Sequence, residues 1–122
     1  MMTGNVKAQL LSAAIAFMIF SARGYAEVKL GSREVLLDNE QVQVIRLTYP
    51  VGTESGMHTH EFPNRVVYML KGGVLEFVPG DPAEQANVRT IPDGTTLFLP
   101  GSTHNVRNLG DTEVVILETE LK

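Results

Sequence analysis

Residues 52–72 read GTESGMHTHEFPNRVVYMLKG, which is a glycine-rich turn, a His-x-His pair and then a hydrophobic run. His58 and His60 are two of the three histidines in the chain, and the third, His104, follows the segment LPGST at 99–103. Alternate side chains of a strand point to one face, so a strand would present both rings of the pair together. Neutral imidazole nitrogen binds Fe, Zn, Ni, Mn and Cu. We therefore predict a metal site made by His58, His60 and His104.

The fold is predicted from short runs of β-branched and aromatic residues that recur between turn-forming residues. Beyond residue 27 no useful stretch has the period of a helix, and this pattern is typical of an all-β sandwich or barrel. The glycine pair at 72–73 predicts a hairpin between the strands on either side of it. Strands are predicted at 33–37, 41–49, 65–70, 74–78, 88–91, 95–99, 103–107 and 113–120.

The first 26 residues are predicted to be a secretory signal peptide. Lys7 gives a positively charged start, residues 10–20 are almost uninterruptedly apolar, and residues 24–26 offer a small-x-small cleavage site. The apolar run has about half the length that a helix needs to span a bilayer, which favours cleavage over a retained anchor. We expect cleavage after Ala26 and export, to a bacterial periplasm, of a domain formed by residues 27–122.

Composition limits the partners of that domain. Removing Lys7 and Arg23 leaves 8 basic residues against 14 acidic ones, a formal charge of −6. An acidic domain without a Lys/Arg cluster is not expected to bind nucleic acid or, after cleavage, an anionic membrane. The chain has no cysteine, so neither a disulfide nor a thiolate ligand or nucleophile is available. A small-molecule ligand or substrate is the remaining class of partner.

The two histidine segments resemble the two sequence motifs of the cupins, which are small β-barrels of the jelly-roll type. The first motif, G-x5-H-x-H-x3-4-E-x6-G, is matched at Gly52, His58, His60 and Gly72. The second motif, G-x5-P-x-G-x2-H-x3-N, has Ser102 in place of its second glycine and is otherwise matched at Gly94, Pro100, His104 and Asn108.

The resemblance covers most of residues 40–120, and in finer detail it is to small exported single-domain cupins, some of them labelled β-alanine degradation proteins. It implies a single-domain antiparallel β-barrel of jelly-roll type for residues 27–122. Within it we expect Asn108 to satisfy nearby backbone groups, and Gly52, Gly72 and Gly94 to serve positive φ angles or close approach rather than chemistry.

Position 65 departs from the first motif, because this chain has arginine where the motif has glutamate. A guanidinium cannot bind a metal and stays protonated. Arg65 could point away and leave a three-histidine site, hold an anionic substrate beside the metal, or weaken metal binding. Some cupin dioxygenases use three histidines without a carboxylate, so the resemblance favours the first two arrangements. If Arg65 is buried it needs an anionic partner, for which Glu54, Glu61 and an anionic ligand are the candidates.

Three functions are open at this stage. The first is a metal-dependent enzyme, with a non-haem oxygenase of the dioxygenase type acting on a small organic molecule as the leading reaction. The second is a non-catalytic or sensory module that binds a metal or a small molecule. The third is a degenerate cupin that has lost its metal site and serves as a scaffold for interaction with a partner. The retained histidines count against this function. We also expect a homodimer, because a domain of this size buries a limited fraction of its apolar surface and related cupins commonly pair.

Overall fold

The computed structural model describes residues 27–122, and the predicted signal peptide lies outside the described residues. Every predicted strand is confirmed within one residue at each end, and a short strand at His58–Thr59 is added. None of the described residues belongs to a helix long and apolar enough to cross a membrane. The strands are β1 (Ser32–Asp38), β2 (Val42–Tyr49), β3 (His58–Thr59), β4 (Asn64–Lys71), β5 (Gly73–Pro79), β6 (Asn87–Ile91), β7 (Thr96–Pro100), β8 (Thr103–Asn108) and β9 (Val114–Leu121).

The strands form two antiparallel sheets, so the all-β jelly-roll prediction is confirmed. One sheet has the order β1-β2-β9-β4-β7 and the other the order β3-β8-β5-β6. The core lies between the sheets and takes one side chain in two from the strands on each side, as the alternation of a half-buried strand requires. Its buried members are Tyr49, Val67, Met69, Leu75, Ile91, Val106, Val114 and Ile116.

The hairpin predicted at 72–73 is wrong, because β4 and β5 belong to different sheets. The reason is a close approach of distant backbone. A methyl group at Gly72 would overlap the Ile91 carbonyl oxygen and lie 2.6 Å from the Pro92 carbonyl carbon. The Gly72 backbone N–H also donates to the Asp93 carboxylate at 2.6 Å. The glycine therefore lets the chain pass from one sheet to the other against the segment that follows β6.

Asn108, as predicted, satisfies backbone groups. Its side-chain amide donates to the carbonyl oxygens of Tyr49 and Thr112, both at 2.8 Å, and its side-chain oxygen accepts from the Gly110 N–H at 3.0 Å. It thus fastens the end of β2 to the loop before β9. Gly52 and Gly94 have φ angles of 78° and 77°, which side chains disfavour.

Candidate metal centre

The three histidines converge at one end of the space between the sheets. His58 on β3 and His104 on β8 are cross-strand partners. The backbone N–H of His60, just beyond β3, donates to the Ser102 carbonyl at 2.9 Å and holds the third ring beside them. The Nε2 atom of His60 lies 3.0 Å from the Nε2 atoms of His58 and of His104. Ligands about 2.0–2.1 Å from one shared ion are spaced in this range.

The hydrogen bonds of the outer ring nitrogens fix which tautomer two of the rings adopt. His58 Nδ1 lies 2.9 Å from the Gly56 carbonyl oxygen, and His60 Nδ1 contacts a carboxylate oxygen of Glu120. Both oxygens accept, so each Nδ1 carries the hydrogen and each Nε2 presents a lone pair. Lone pairs facing one another at 3.0 Å repel unless a cation lies between them. The donor set therefore fits a metal ion, and the outer partners are of the kind that orient metal-bound histidine.

Burial keeps the rings in the form that a metal requires. It is the largest cause that lowers the pKa of His60. It also lowers the pKa of His104 to about 3, with further contributions from the neighbouring His58, His60 and Arg65. Since only neutral imidazole has a free lone pair, these pKa values leave both rings available as ligands at neutral pH.

Two buried carboxylates, Glu118 and Glu120, lie beside the histidines and were not anticipated from the sequence. Both are on β9, where they continue the inward alternation of Val114 and Ile116, and they are 6% and 5% exposed. Burial raises the pKa of Glu118 to about 7, the neighbouring Glu120 raises it further and Arg65 opposes the shift. The signal was present in the sequence, because the period of two in β9 places both residues on the core face.

Arg65 points inward and is paired within the protein. Its Nη1 atom donates to the Pro100 carbonyl at 2.7 Å, and its Nε atom lies 3.5 Å from a carboxylate oxygen of Glu118. The two acidic partners considered from the sequence are used otherwise. Glu54 pairs with Arg107 at 3.0 Å, and Glu61 is exposed. The adjacent strand β9, not the loop before β4, supplies the charge that makes a buried guanidinium tolerable.

A cavity of about 330 Å³ adjoins the histidines. His58 and His60 line it together with Glu118 and Glu120 of β9 and with residues of the neighbouring strands β1 and β2. Arg65 lines a separate, deeper and mainly apolar space of about 60 Å³ together with His58 and His104. The histidine cluster therefore lies between the larger cavity and the smaller apolar space.

Two groups of side chains have the spacing that an ion needs, with all their ligand atoms within 4.8 Å of one another: the three histidines, and His60 with Glu118 and Glu120. In the second group Glu120 contacts the Nδ1 atom of His60, whereas the other histidines face its Nε2 atom. The carboxylates thus lie at the Nδ1 side of the His60 ring, away from the other two histidines. The three-histidine cluster predicted from the sequence is confirmed as a group that can hold a metal.

No protein-family model and no curated protein matches the chain. Among solved structures, a cupin domain from Bordetella pertussis Tohama I is 32% identical, with a TM-score of 0.72, over 79% of this chain and 97% of that one. This chain belongs to the cupin superfamily. An RmlC-like cupin family protein with a double-stranded β-helix fold from Methanocaldococcus jannaschii is 15% identical, with a TM-score of 0.59, over 79% of this cupin and 84% of that chain. A DMSP lyase from Ruegeria pomeroyi DSS-3 is 14% identical, with a TM-score of 0.57, over 76% of this cupin and 47% of that chain. The last two share the fold alone.

Proposed function

We propose that this cupin binds one divalent transition-metal ion through His58, His60 and His104 and uses it to act on a small organic substrate. The observation that carries the proposal is the convergence of three half-buried rings beside a cavity, with the Nε2 atom of His60 3.0 Å from the Nε2 atoms of His58 and His104. Fe, Zn, Ni, Mn and Cu all suit three imidazoles. The cavity volume of about 330 Å³ is at the lower end for ligand pockets, which favours a small molecule.

The residues around the site have separate tasks in this proposal. The carboxylate of Glu120 holds the ring of His60, and the Gly56 carbonyl holds the ring of His58. Pairing of Arg65 with Glu118 compensates charge behind the cluster. When bound, the metal would supply Lewis acidity and redox chemistry at the coordination positions that three protein ligands leave open.

The specific reaction that we propose is an oxygenase reaction on a small organic substrate. Three histidines without a carboxylate in the cluster leave room for more than one further ligand, which is what a reaction between dioxygen and a substrate requires. The alternative is a metal-binding module without turnover. The DMSP lyase among the structural neighbours shows that the same fold carries other chemistry, so fold by itself does not select the reaction.

Oxygen consumption tests the proposal. The full chain, purified without a histidine tag and loaded with ferrous iron, is placed in an oxygen electrode with a panel of small carboxylates, thiols and diketones. We expect one compound class to stimulate oxygen uptake, and the stimulation to be lost in His58→Ala/His60→Ala. Stoichiometric metal without stimulated uptake would favour the binding module, and absence of metal would contradict both functions.

A further inference from the structure

The side of the cavity formed by β1 and β2 carries one cationic side chain, Arg33. It lies on β1, and its Nη2 atom donates to the side-chain oxygen of Gln43 on β2 at 3.1 Å. Both side chains line the cavity that the histidines line. Arg33 is the only Lys or Arg among the residues that line it. The cavity therefore has a guanidinium on one wall and the candidate metal ligands on another.

Most N–H donors of the Arg33 guanidinium have no side-chain partner among the described residues. A guanidinium has five N–H donors, and within residues 27–122 Arg33 uses one of them in a side-chain hydrogen bond and makes no ion pair. The nearby carboxylate of Asp38 accepts from the Gln43 amide at 3.2 Å and pairs with Lys122 at 2.6 Å. Gln43 is thereby held at both ends of its amide and fixes the direction of the guanidinium.

No carboxylate that lines the cavity forms an ion pair with Arg33, although the charge of Arg33 opposes the rise in the pKa of Glu118. Glu120 contacts His60, Glu118 pairs with Arg65, and Glu61 is exposed at the rim. Each buried acid thus contacts another group of the protein, although the Oε2 atom of Glu120 is buried without a hydrogen-bond partner among the described residues. An anion that enters the cavity meets Arg33 as its free partner, and a planar oxyanion such as a carboxylate matches the fork of a guanidinium.

Strand register brings the partner of Arg33 beside the partner of His60. Gln43 pairs directly with Glu120, the residue that holds His60. Directly opposed residues of antiparallel strands are about 4.5–5.5 Å apart, so the residue that orients Arg33 and the residue that holds His60 are neighbours. A small molecule in the cavity can therefore reach both. The cavity lining also includes Ile45, Leu47 and Phe62, which suits a short apolar body.

We propose that Arg33, oriented by Gln43, binds the carboxylate of a small organic acid whose other end reaches the three-histidine site. The substrate class of this cupin is then a short-chain carboxylate. The inference rests on the proposed function where it places the other end of the ligand at the three-histidine metal site. The preference for a negatively charged ligand depends on Arg33 alone.

Isothermal titration calorimetry tests this with linear monocarboxylates from acetate to octanoate and the amide of each. The full chain is titrated both zinc-loaded and metal-free. Arg33→Ala should weaken carboxylate binding about tenfold or more, as expected for loss of a charge-assisted hydrogen bond, and leave amide binding unchanged. Arg33→Lys should recover part of the loss. Arg46→Ala is the matched control, because Arg46 lies on the outer face of β2 and pairs with Glu34.

Two results would overturn the inference: amides that bind as tightly as their carboxylates, or carboxylate binding that Arg33→Ala leaves unchanged. Unaltered circular dichroism and metal content of the variants show that the fold and the histidine site persist. If the chain holds no metal but carboxylate binding still depends on Arg33, the proposed function fails and this inference stands. If the chain binds metal but Arg33→Ala leaves carboxylate binding unchanged, this inference alone fails.

Discussion

Two arginine–glutamate pairs in this cupin differ mainly in burial. The side chains of Arg65 and Glu118 are 4% and 8% exposed, whereas those of Arg46 and Glu34 are 47% and 58% exposed. An unpaired charge in the interior cannot be solvated, but one at the surface can. The inner pair therefore matters to stability in a way that the outer pair does not.

Removing the inner guanidinium should destabilise the chain. At about pH 8, above the raised pKa of Glu118, we expect Arg65→Ala to lower the free energy of unfolding by about 3–5 kcal/mol, because it leaves the buried Glu118 carboxylate unpaired. The control Arg46→Ala removes the same group from an exposed pair and should cost less than about 1 kcal/mol. Urea denaturation of the metal-free protein measures both changes. Equal effects of the two substitutions would contradict the assignment of Arg65 to a buried pair.

Glu120 should control how tightly His60 binds metal. Glu120→Leu keeps the approximate size of the side chain but removes the acceptor of the His60 Nδ1–H, and loss of such a partner typically costs about 10–100-fold in metal affinity. Competition for zinc with a chromophoric chelator measures the effect. Glu113→Leu, at an exposed glutamate next to β9, is the control and should leave the affinity unchanged. Retained affinity in Glu120→Leu would show that the carboxylate does not support the ring.

At the scale of the elements, β9 shows what alternation predicts and what it does not. The predicted strand 113–120 is confirmed, with Val114 and Ile116 in the core, and the same period of two also points Glu118 and Glu120 inward. A lone carboxylate is rarely buried, so the residue type argues for exposure against the period of the strand. Burial is tolerated because β9 lies between β2 and β4, and this order brings Arg65 close. Strand order is set by contacts distant in sequence, which local periodicity does not contain.

The convergence of the three histidines was predictable because its signal is local in sequence. Its residues fall in two short motifs with fixed spacing, and the position of each ring depends on the strands that carry the motifs. The passage from β4 to β5 was not predictable, because Gly72 approaches the backbone of 91–93 and that approach leaves no trace in the local sequence.

A methyl group at Gly72 should strain that passage. We expect Gly72→Ala to destabilise the chain by about 1–3 kcal/mol, since the new atom must displace backbone of the segment after β6. Gly110→Ala serves as the comparison, because a methyl group there would lie 3.3 Å or more from its neighbours. Its loss of stability should be smaller. Thermal unfolding of both variants measures the difference, and an unaffected Gly72→Ala variant would refute the close approach.

On the scale of the whole molecule, the outer face of the larger sheet carries an exposed apolar patch. Leu37, Tyr68, Leu70 and Phe98 are 50%, 40%, 46% and 65% exposed. The register that pairs Val66 with Phe98 makes the patch continuous across β4 and β7. Exposed apolar patches of this kind mark association surfaces. Together with the small size of the domain, the patch supports the homodimer expected from the sequence.

Self-association through this face should respond to a single charge. We expect the wild-type chain to sediment as a dimer at tens of micromolar and Phe98→Glu to shift it toward monomer, because the charge would be buried without a partner. Leu109→Glu, at a residue 53% exposed in the loop after β8, should leave the dimer intact. A wild-type monomer at this concentration would refute the dimer.

Metal content per chain tests the central claim most directly. The full chain and its His58→Ala/His60→Ala and His104→Ala variants, all without a histidine tag, are dialysed in parallel against micromolar Mn, Fe, Ni, Cu or Zn, and bound metal is measured by mass spectrometry. We predict about one equivalent of at least one of these metals in the wild-type chain and less than about a tenth of that in either variant, because the three rings share one ion. A wild-type chain that retains no more metal than its variants would contradict the account.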